Sequence, residues 1–179
     1  MSFRFPKIHN PFNFLFRKNS KKEYFENNED SDFEKYKNIN WEDTVEFRFP
    51  ITGGIVIKVY DGDTITIASK LPYDSSPLYR LSVRLNGIDT PEIKGKGVSD
   101  EEKNTAIIVR DFLSNLLLNK YVRLENIQSE KYGRILADVY IGEINVNELL
   151  LKERYAVKYD GGTKKKPESW LKYRLTGEL

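Results

Sequence analysis

The chain has no cysteine and only one histidine, His9, among its 179 residues. The missing thiols exclude disulfide bonds, cysteine-ligated zinc sites and cysteine nucleophiles. A single histidine disfavours enzymes that need a histidine base or several histidine ligands. Any bound metal ion would have to be held by oxygen atoms, which favours hard cations such as calcium, magnesium or manganese.

Long apolar runs are missing as well. No stretch approaches the roughly 20 apolar residues of a membrane span. The N-terminus lacks the continuous apolar segment of a secretory signal, because Pro6, Lys7, Asn10 and Pro11 interrupt it. We therefore expect an intracellular protein. The net charge of +2 neither requires nor excludes nucleic acid as a partner, so the local distribution of charge must decide.

Residues 1–45 differ in composition from the rest of the chain. Their first part is basic and rich in phenylalanine, with no acidic residue before Glu23, and an acidic block then runs to Glu34 without a base. Such blocks are typical of a solvated, flexible extension. The alternative is an arm that contacts a membrane surface or a partner protein. We place the folded domain at residues 46–179.

The folded part begins with strand patterns. Apolar and polar residues alternate from Gly53 to Ile67 around the turn signal Asp61-Gly62, which predicts a β-hairpin. Residues 70–78 predict a loop, and residues 79–88 a third strand. Two further strands are predicted, at residues 121–127 and 134–141.

Helices are predicted between and after these strands. Ser99 to Glu102 has the pattern of a capping box, and apolar residues recur at helical spacing behind it, so we expect a helix over residues 99–118. Asn145 begins a second helix, and a short one follows near 167–175. Five strands interrupted by helices suit a mainly β domain of the α+β type, a small barrel with helices packed outside.

Three segments carry possible chemistry: Asp61 to Thr64 at the hairpin turn, Arg84 to Glu92, and Lys131 to Arg134. Each has an ordinary explanation, because Asp-Gly turns, a proline after a strand and an exposed arginine are all common. Together they supply carboxylates for a cation, a base for water, and two arginines that can bind phosphate. That combination is what hydrolysis of a phosphodiester requires.

In this order, the three segments resemble the staphylococcal nuclease (thermonuclease) family, over roughly residues 53–160. The resemblance implies an OB-fold barrel of five strands with about three helices. It also implies that Asp63 and Asp89 ligate a metal through carboxylate oxygen and that Thr90 adds its backbone carbonyl. Asp61 resembles a nearby acid that binds the metal only occasionally. The implied metal is calcium, with magnesium or manganese as the less favoured choices.

The resemblance also assigns the catalytic groups. It implies that Glu92 is the general base and that Arg84 and Arg134 bind the phosphate. Lys131 and Tyr132 match positions that contact a terminal phosphate, and Tyr159 lies near the position of a tyrosine that contacts the nucleotide, although its register is not fixed. The lysine run at 164–166 has no assigned role, and a solvated loop is the simpler interpretation.

The implied activity is that of a nuclease, either an endonuclease or an exonuclease, that hydrolyses single-stranded or flexible DNA or RNA and leaves 3′-phosphate ends. We expect a monomer. A different class of protein remains open: a catalytically inactive OB-fold module that only binds nucleic acid or protein. Such a module would not need two arginines and three carboxylates together. A structural protein anchored by its phenylalanine-rich arm would explain residues 1–45 but not these side chains.

Overall fold

The computed structural model describes residues 33–130 and 133–179. Most of the predicted extension, residues 1–32, lies outside the described residues. Lys131 and Tyr132, for which the sequence predicts substrate contacts, also lie outside them. The extension and these two contacts therefore stay predictions.

The chain divides into two units between Glu46 and Phe47. In the described part of the first unit, Trp41–Asp43 form a 3-10 helix. The Asp43 carboxylate accepts a hydrogen bond of 3.0 Å from the backbone N–H of Asn40, which caps the start of this helix. Across the described parts of both units, no helix combines the length and the apolar character needed to cross a membrane.

The second unit contains both strands and helices. Its described residues form the strands β1 (Gly53–Val59), β2 (Thr64–Ser69), β3 (Tyr79–Leu85), β4 (Ile88–Asp89), β5 (Tyr121–Ser129), β6 (Ile135–Ile141), β7 (Ile144–Asn145) and β8 (Val157–Lys158). They also form the helices α1 (Asp100–Leu117), α2 (Val146–Lys152) and α3 (Trp170–Thr176).

Five of the strands close into a barrel. β1 pairs antiparallel with β2 and with β5, β2 pairs with β3, and β5 pairs with β6. The parallel pairing of β3 with β6 closes the ring. The three helices pack outside it. This confirms the predicted α+β class and the five-stranded OB-fold barrel, in which closure removes the exposed strand edges of an open sheet.

The barrel interior is filled by aliphatic side chains that alternate along the strands. The fully buried ones include Val56, Ile65, Ile67, Val83, Leu85, Val122, Ile135 and Val139. Burying one such side chain stabilises the fold by about 1.5–3 kcal/mol. α1 adds Val109, Leu113 and Leu117 to this core, whereas Ile108, which follows the helical apolar spacing as well, is 40% exposed.

The predicted third strand is too long. It ends at Leu85, and a turn through Asn86 and Gly87 separates it from β4, which pairs with β8 instead. Gly87 has a φ of 75°, a conformation that favours glycine. The buried side chain of Asn147 fixes this turn, because its amide donates a 2.8 Å hydrogen bond to the carbonyl of Asn86. The turn redirects the chain toward Asp89.

Candidate active site

The β1–β2 turn carries the first two acids of the site. The Asp63 backbone N–H donates to the Asp61 carboxylate at 3.2 Å, and the Thr64 hydroxyl donates to the Asp63 carboxylate at 2.9 Å. Gly62 lets this turn pack closely on its neighbours. A Cβ at Gly62 would lie 2.7 Å from a methyl carbon of Val109 and 2.8 Å from the Thr90 hydroxyl oxygen. The glycine therefore brings Asp63 close to the Asp89–Glu92 segment.

Arg84 links Asp63 to Asp89. It lies opposite Thr64 in the β2–β3 register, so its side chain starts beside the hairpin turn. One guanidinium nitrogen is 2.7 Å from an Asp63 carboxylate oxygen, and another is 3.4 Å from Asp89. The side chain of Arg84 is only 12% exposed and those of the two acids 5%. Three charged groups are thus removed from water together, which is costly unless each is paired.

The ionised form of Asp63 is disfavoured in this setting. Burial and the negative charge of Asp61 raise its pKa from 3.8 to about 7, and Asp89 contributes in the same direction. Arg84 and the hydroxyl of Thr64 lower the pKa, but not enough to offset burial and repulsion. The folded protein therefore favours the protonated form of Asp63, and a cation bound beside this carboxyl would favour its ionised form.

Glu92 lies at the mouth of the site. Its side chain is 44% exposed, while its backbone N–H donates to the buried carboxylate of Glu102 at 3.3 Å. Glu102 also explains a wrong prediction about helix capping. Ser99 does cap α1 by accepting a hydrogen bond from the Glu102 N–H at 3.1 Å. The Glu102 carboxylate, however, contacts Glu92 and Lys166 and does not complete a capping box.

Two lysines of the 164–166 run contact the site region, so the expectation of a simply solvated loop is wrong for them. The Lys164 ammonium lies 2.8 Å from Asp89 and 2.7 Å from Glu92, and Lys166 lies 3.0 Å from Glu102. Partial burial lowers the pKa of Lys164, but the bonds to the two carboxylates raise it above its ordinary value. A cluster of three lysines was the only signal in the sequence.

Arg134 is held by an acid that the sequence reasoning missed. Its guanidinium binds the Glu130 carboxylate through two bonds of 2.5 and 2.7 Å. The backbone N–H of Glu130 in turn donates to the Arg134 carbonyl at 2.9 Å. The hydrogen bond to Glu130 raises the pKa of Arg134. A glutamate four residues before an arginine was a signal for this pair.

These side chains surround one cavity of about 250 Å³. It is lined by Asp61, Asp63, Arg84, Thr90, Glu92, Glu130, Arg134, Tyr159 and Lys164. Asp89 lies behind this lining, against Arg84 and Lys164. The ring of Tyr159 is centred 6.0 Å from the Arg84 guanidinium carbon. The fold thus brings together every sequence-predicted site residue that lies in its described part.

A larger cavity of about 810 Å³ adjoins the first and shares Tyr159 with it. Its lining includes the acids Asp138, Glu148 and Asp160 together with Lys158 and Lys165, and lacks an arginine among the described residues. The smaller cavity combines acids with two arginines, whose planar guanidinium groups bind phosphate through two nitrogens. The smaller cavity is therefore the candidate active site.

The smaller cavity suits a divalent cation bound through oxygen. The acids of the site are Asp61, Asp63, Asp89, Glu92 and Glu130, and its bases are Arg84, Arg134 and Lys164. With all of them ionised, the net charge is minus two, the complement of one divalent ion. Within residues 33–130 and 133–179, no three acid or histidine side chains are grouped to enclose an ion. Backbone carbonyl, water or phosphate oxygens would have to complete a shell begun by Asp63 and Asp89.

The chain is similar to known nucleases. The family model described as "Staphylococcal nuclease homologue" matches residues 82–174. A thermonuclease of Staphylococcus hyicus is 37% identical over 103 residues, which cover 56% of this chain and 56% of that protein. An uncharacterized endonuclease of Haemophilus influenzae is 35% identical over 104 residues, 58% of this chain and 51% of that one. The match thus spans little more than half the length of these relatives.

Proposed function

Because the chain belongs to the family of staphylococcal nuclease homologues, we propose that it is a metal-dependent nuclease that hydrolyses phosphodiester bonds of DNA or RNA. The observation that carries the proposal is the meeting of Arg84, Arg134 and Glu92 with a buried acid pair at one cavity. These groups come from separate strands and loops and line one cavity, where they would act on a single phosphate.

The cation would be calcium. Asp63 and Asp89 would hold it through carboxylate oxygens, Thr90 would offer its backbone carbonyl, and Asp61 would remain beside it. Calcium accepts such an irregular oxygen shell, whereas magnesium requires nearly octahedral geometry. When bound, the ion would withdraw electron density from the phosphate and neutralise part of its charge.

Glu92 would act as the general base. Its half-exposed carboxylate lies at the cavity mouth, where a water molecule can reach it, and would take the proton of the attacking water. Arg84 and Arg134 would bind the phosphate oxygens and stabilise the charge that develops during attack. Arg134 would exchange its bonds to Glu130 for bonds to phosphate, since a guanidinium binds both kinds of oxygen through two nitrogens. Breaking the bond to the 5′ oxygen would leave a 3′-phosphate.

The substrate would be a single-stranded or otherwise flexible nucleic acid. The cavity holds two arginines beside the ring of Tyr159, and a flexible strand would bring both a phosphate and an unstacked base to them. Tyr159 would contact the nucleotide beside Arg84. Lys131 and Tyr132, which immediately precede Gly133 and Arg134, would contact a terminal phosphate.

The second candidate is an inactive OB-fold module that binds nucleic acid or protein. It is less favoured because binding alone has no use for a pair of buried acids beside two arginines. Digestion of end-labelled single-stranded DNA and RNA separates the two. We expect fragments with calcium, fewer or none with magnesium, and none in excess chelator.

Two further results would complete this experiment. Fragments with 3′-phosphate ends would support the proposed bond cleavage. Retention of the labelled strand without cutting, in calcium and in magnesium alike, would support the inactive module. Full cutting in chelator would contradict the metal-dependent mechanism.

A further inference from the structure

One ammonium group bridges two acids with different proposed roles. The Lys164 Nζ atom lies 2.8 Å from Asp89, a proposed metal ligand, and 2.7 Å from Glu92, the proposed base. The Asp89 side chain is only 5% exposed, so a lysine that reaches it must enter the site. Lys164 therefore binds the two carboxylates that the proposed mechanism needs, one for the metal ion and one for the attacking water.

The loop that carries Lys164 is fixed on both sides. Before it, the Tyr159 backbone N–H donates to the Gly87 carbonyl at 2.9 Å. After it, Lys166 pairs with the buried Glu102 at 3.0 Å, and Glu102 also accepts the N–H of Glu92. One buried carboxylate thus holds both the base segment and the lysine loop, which places Lys164 across the cavity mouth.

We propose that Lys164 is a positioning residue of this site, whose ammonium group holds Asp89 and Glu92 in the cation-free protein and competes with the divalent cation for them. The inference rests on the proposed function. It follows from the charges: without Lys164, the net charge of the site falls from minus two to minus three, and both acids lose a close partner.

Cation binding would then require Lys164 to leave the carboxylates. Its side chain is 43% exposed and ends a flexible four-carbon stem, so it can move without moving the loop. Asp89 keeps its contact with Arg84, and the backbone of Glu92 stays bonded to the Glu102 carboxylate. Lys164 therefore weakens cation binding. In the cation-free protein, its positive charge offsets the repulsion between the two carboxylates.

Calcium titration by isothermal calorimetry on the full chain, without substrate, tests this inference. Removing the bridging charge in Lys164→Met should tighten calcium binding about tenfold, the sum expected of two partly exposed ion pairs. Lys165→Met is the matched control, because Lys165 is the next residue, carries the same charge and has no ion pair in the described structure. It should change the affinity less than about twofold, because its exposed charge is screened by solvent and salt.

A conservative variant adds a second readout. Lys164→Arg retains the positive charge and should bind calcium nearly as weakly as the unaltered chain. Equal affinities for Lys164→Met and Lys165→Met, with normal calcium-dependent cutting, would overturn the inference and leave the proposed function intact. No calcium binding by any of the proteins would overturn both the inference and the metal assignment. Circular dichroism of each variant verifies that it is folded.

Discussion

Asp63→Asn should make the protein more stable at alkaline pH in the absence of divalent cations. In the unfolded chain the carboxyl loses its proton near pH 3.8, whereas in the folded protein its pKa is about 7. The folded state thus holds the proton more tightly. Stability that is fully present below pH 3.8 is lost as the pH rises toward 7. The asparagine variant has no proton to lose and should keep that stability.

The size of the effect follows from the two pKa values. Their difference corresponds to about 4 kcal/mol, since each pKa unit is worth ~1.4 kcal/mol. That figure already includes the loss of the ion pair between Asp63 and Arg84. Protonation of Asp63 removes the negative charge of this pair, and so does the substitution by asparagine. Relaxation around a buried charge reduces such values, so we expect a gain of about 1–4 kcal/mol at pH 8 and almost none at pH 4.

Urea denaturation in chelator, followed by circular dichroism at pH 4 and pH 8, measures this gain. Asp74→Asn is the control, because Asp74 is exposed in the 70–78 loop and should show no such pH dependence. Added calcium should reverse the order at pH 8, by stabilising the unaltered protein alone. An asparagine variant that is less stable than the unaltered chain at pH 8 in chelator would show that the Arg84 pair outweighs burial and repulsion.

Three other outcomes are expected. Glu92→Gln should lower turnover about 100- to 10,000-fold without unfolding the protein. The control Glu143→Gln, in an exposed turn, should cut normally, and near-normal turnover of Glu92→Gln would exclude Glu92 as the base. Gly62→Ala should impair cutting and lower the melting temperature, because its methyl group would overlap Val109 and Thr90; an unchanged melting temperature would show that the turn yields easily. A chain that starts at Val45 should fold and cut normally while its cellular distribution changes; faster cutting would instead indicate that the arm shields the cleft.

Local patterns in the sequence determined much of the fold. Alternating β-branched residues and the Asp-Gly turn predicted β1 and β2, because side chains of a strand alternate between the two faces of a sheet. Ser99 and Asn145 predicted the starts of α1 and α2, and each accepts a hydrogen bond from the N–H three residues on. These features depend on neighbours in the chain, which the sequence displays directly.

The candidate site was predictable as a set of residues, not as an arrangement. The order of its three segments carried the family resemblance, so Asp63, Arg84 and Glu92 could be chosen without a structure. Tyr159 was chosen as well, although its register was open. The tertiary structure decided its place, because the pairing of β8 with β4 brings it next to Arg84.

Only the tertiary structure decided which charges meet. Lys164 bonds to Glu92 across 72 residues of sequence, and Lys166 to Glu102 across 64, so no local pattern could indicate either pair. The same holds for the pKa of Asp63, which depends on burial and on acids from two segments. Ionic contacts act over a few ångströms, and the distances between side chains that are remote in the sequence become known only from the folded structure. The sequence determined which residues are available for the chemistry, whereas the packing of distant loops and strands determined which of them are in contact.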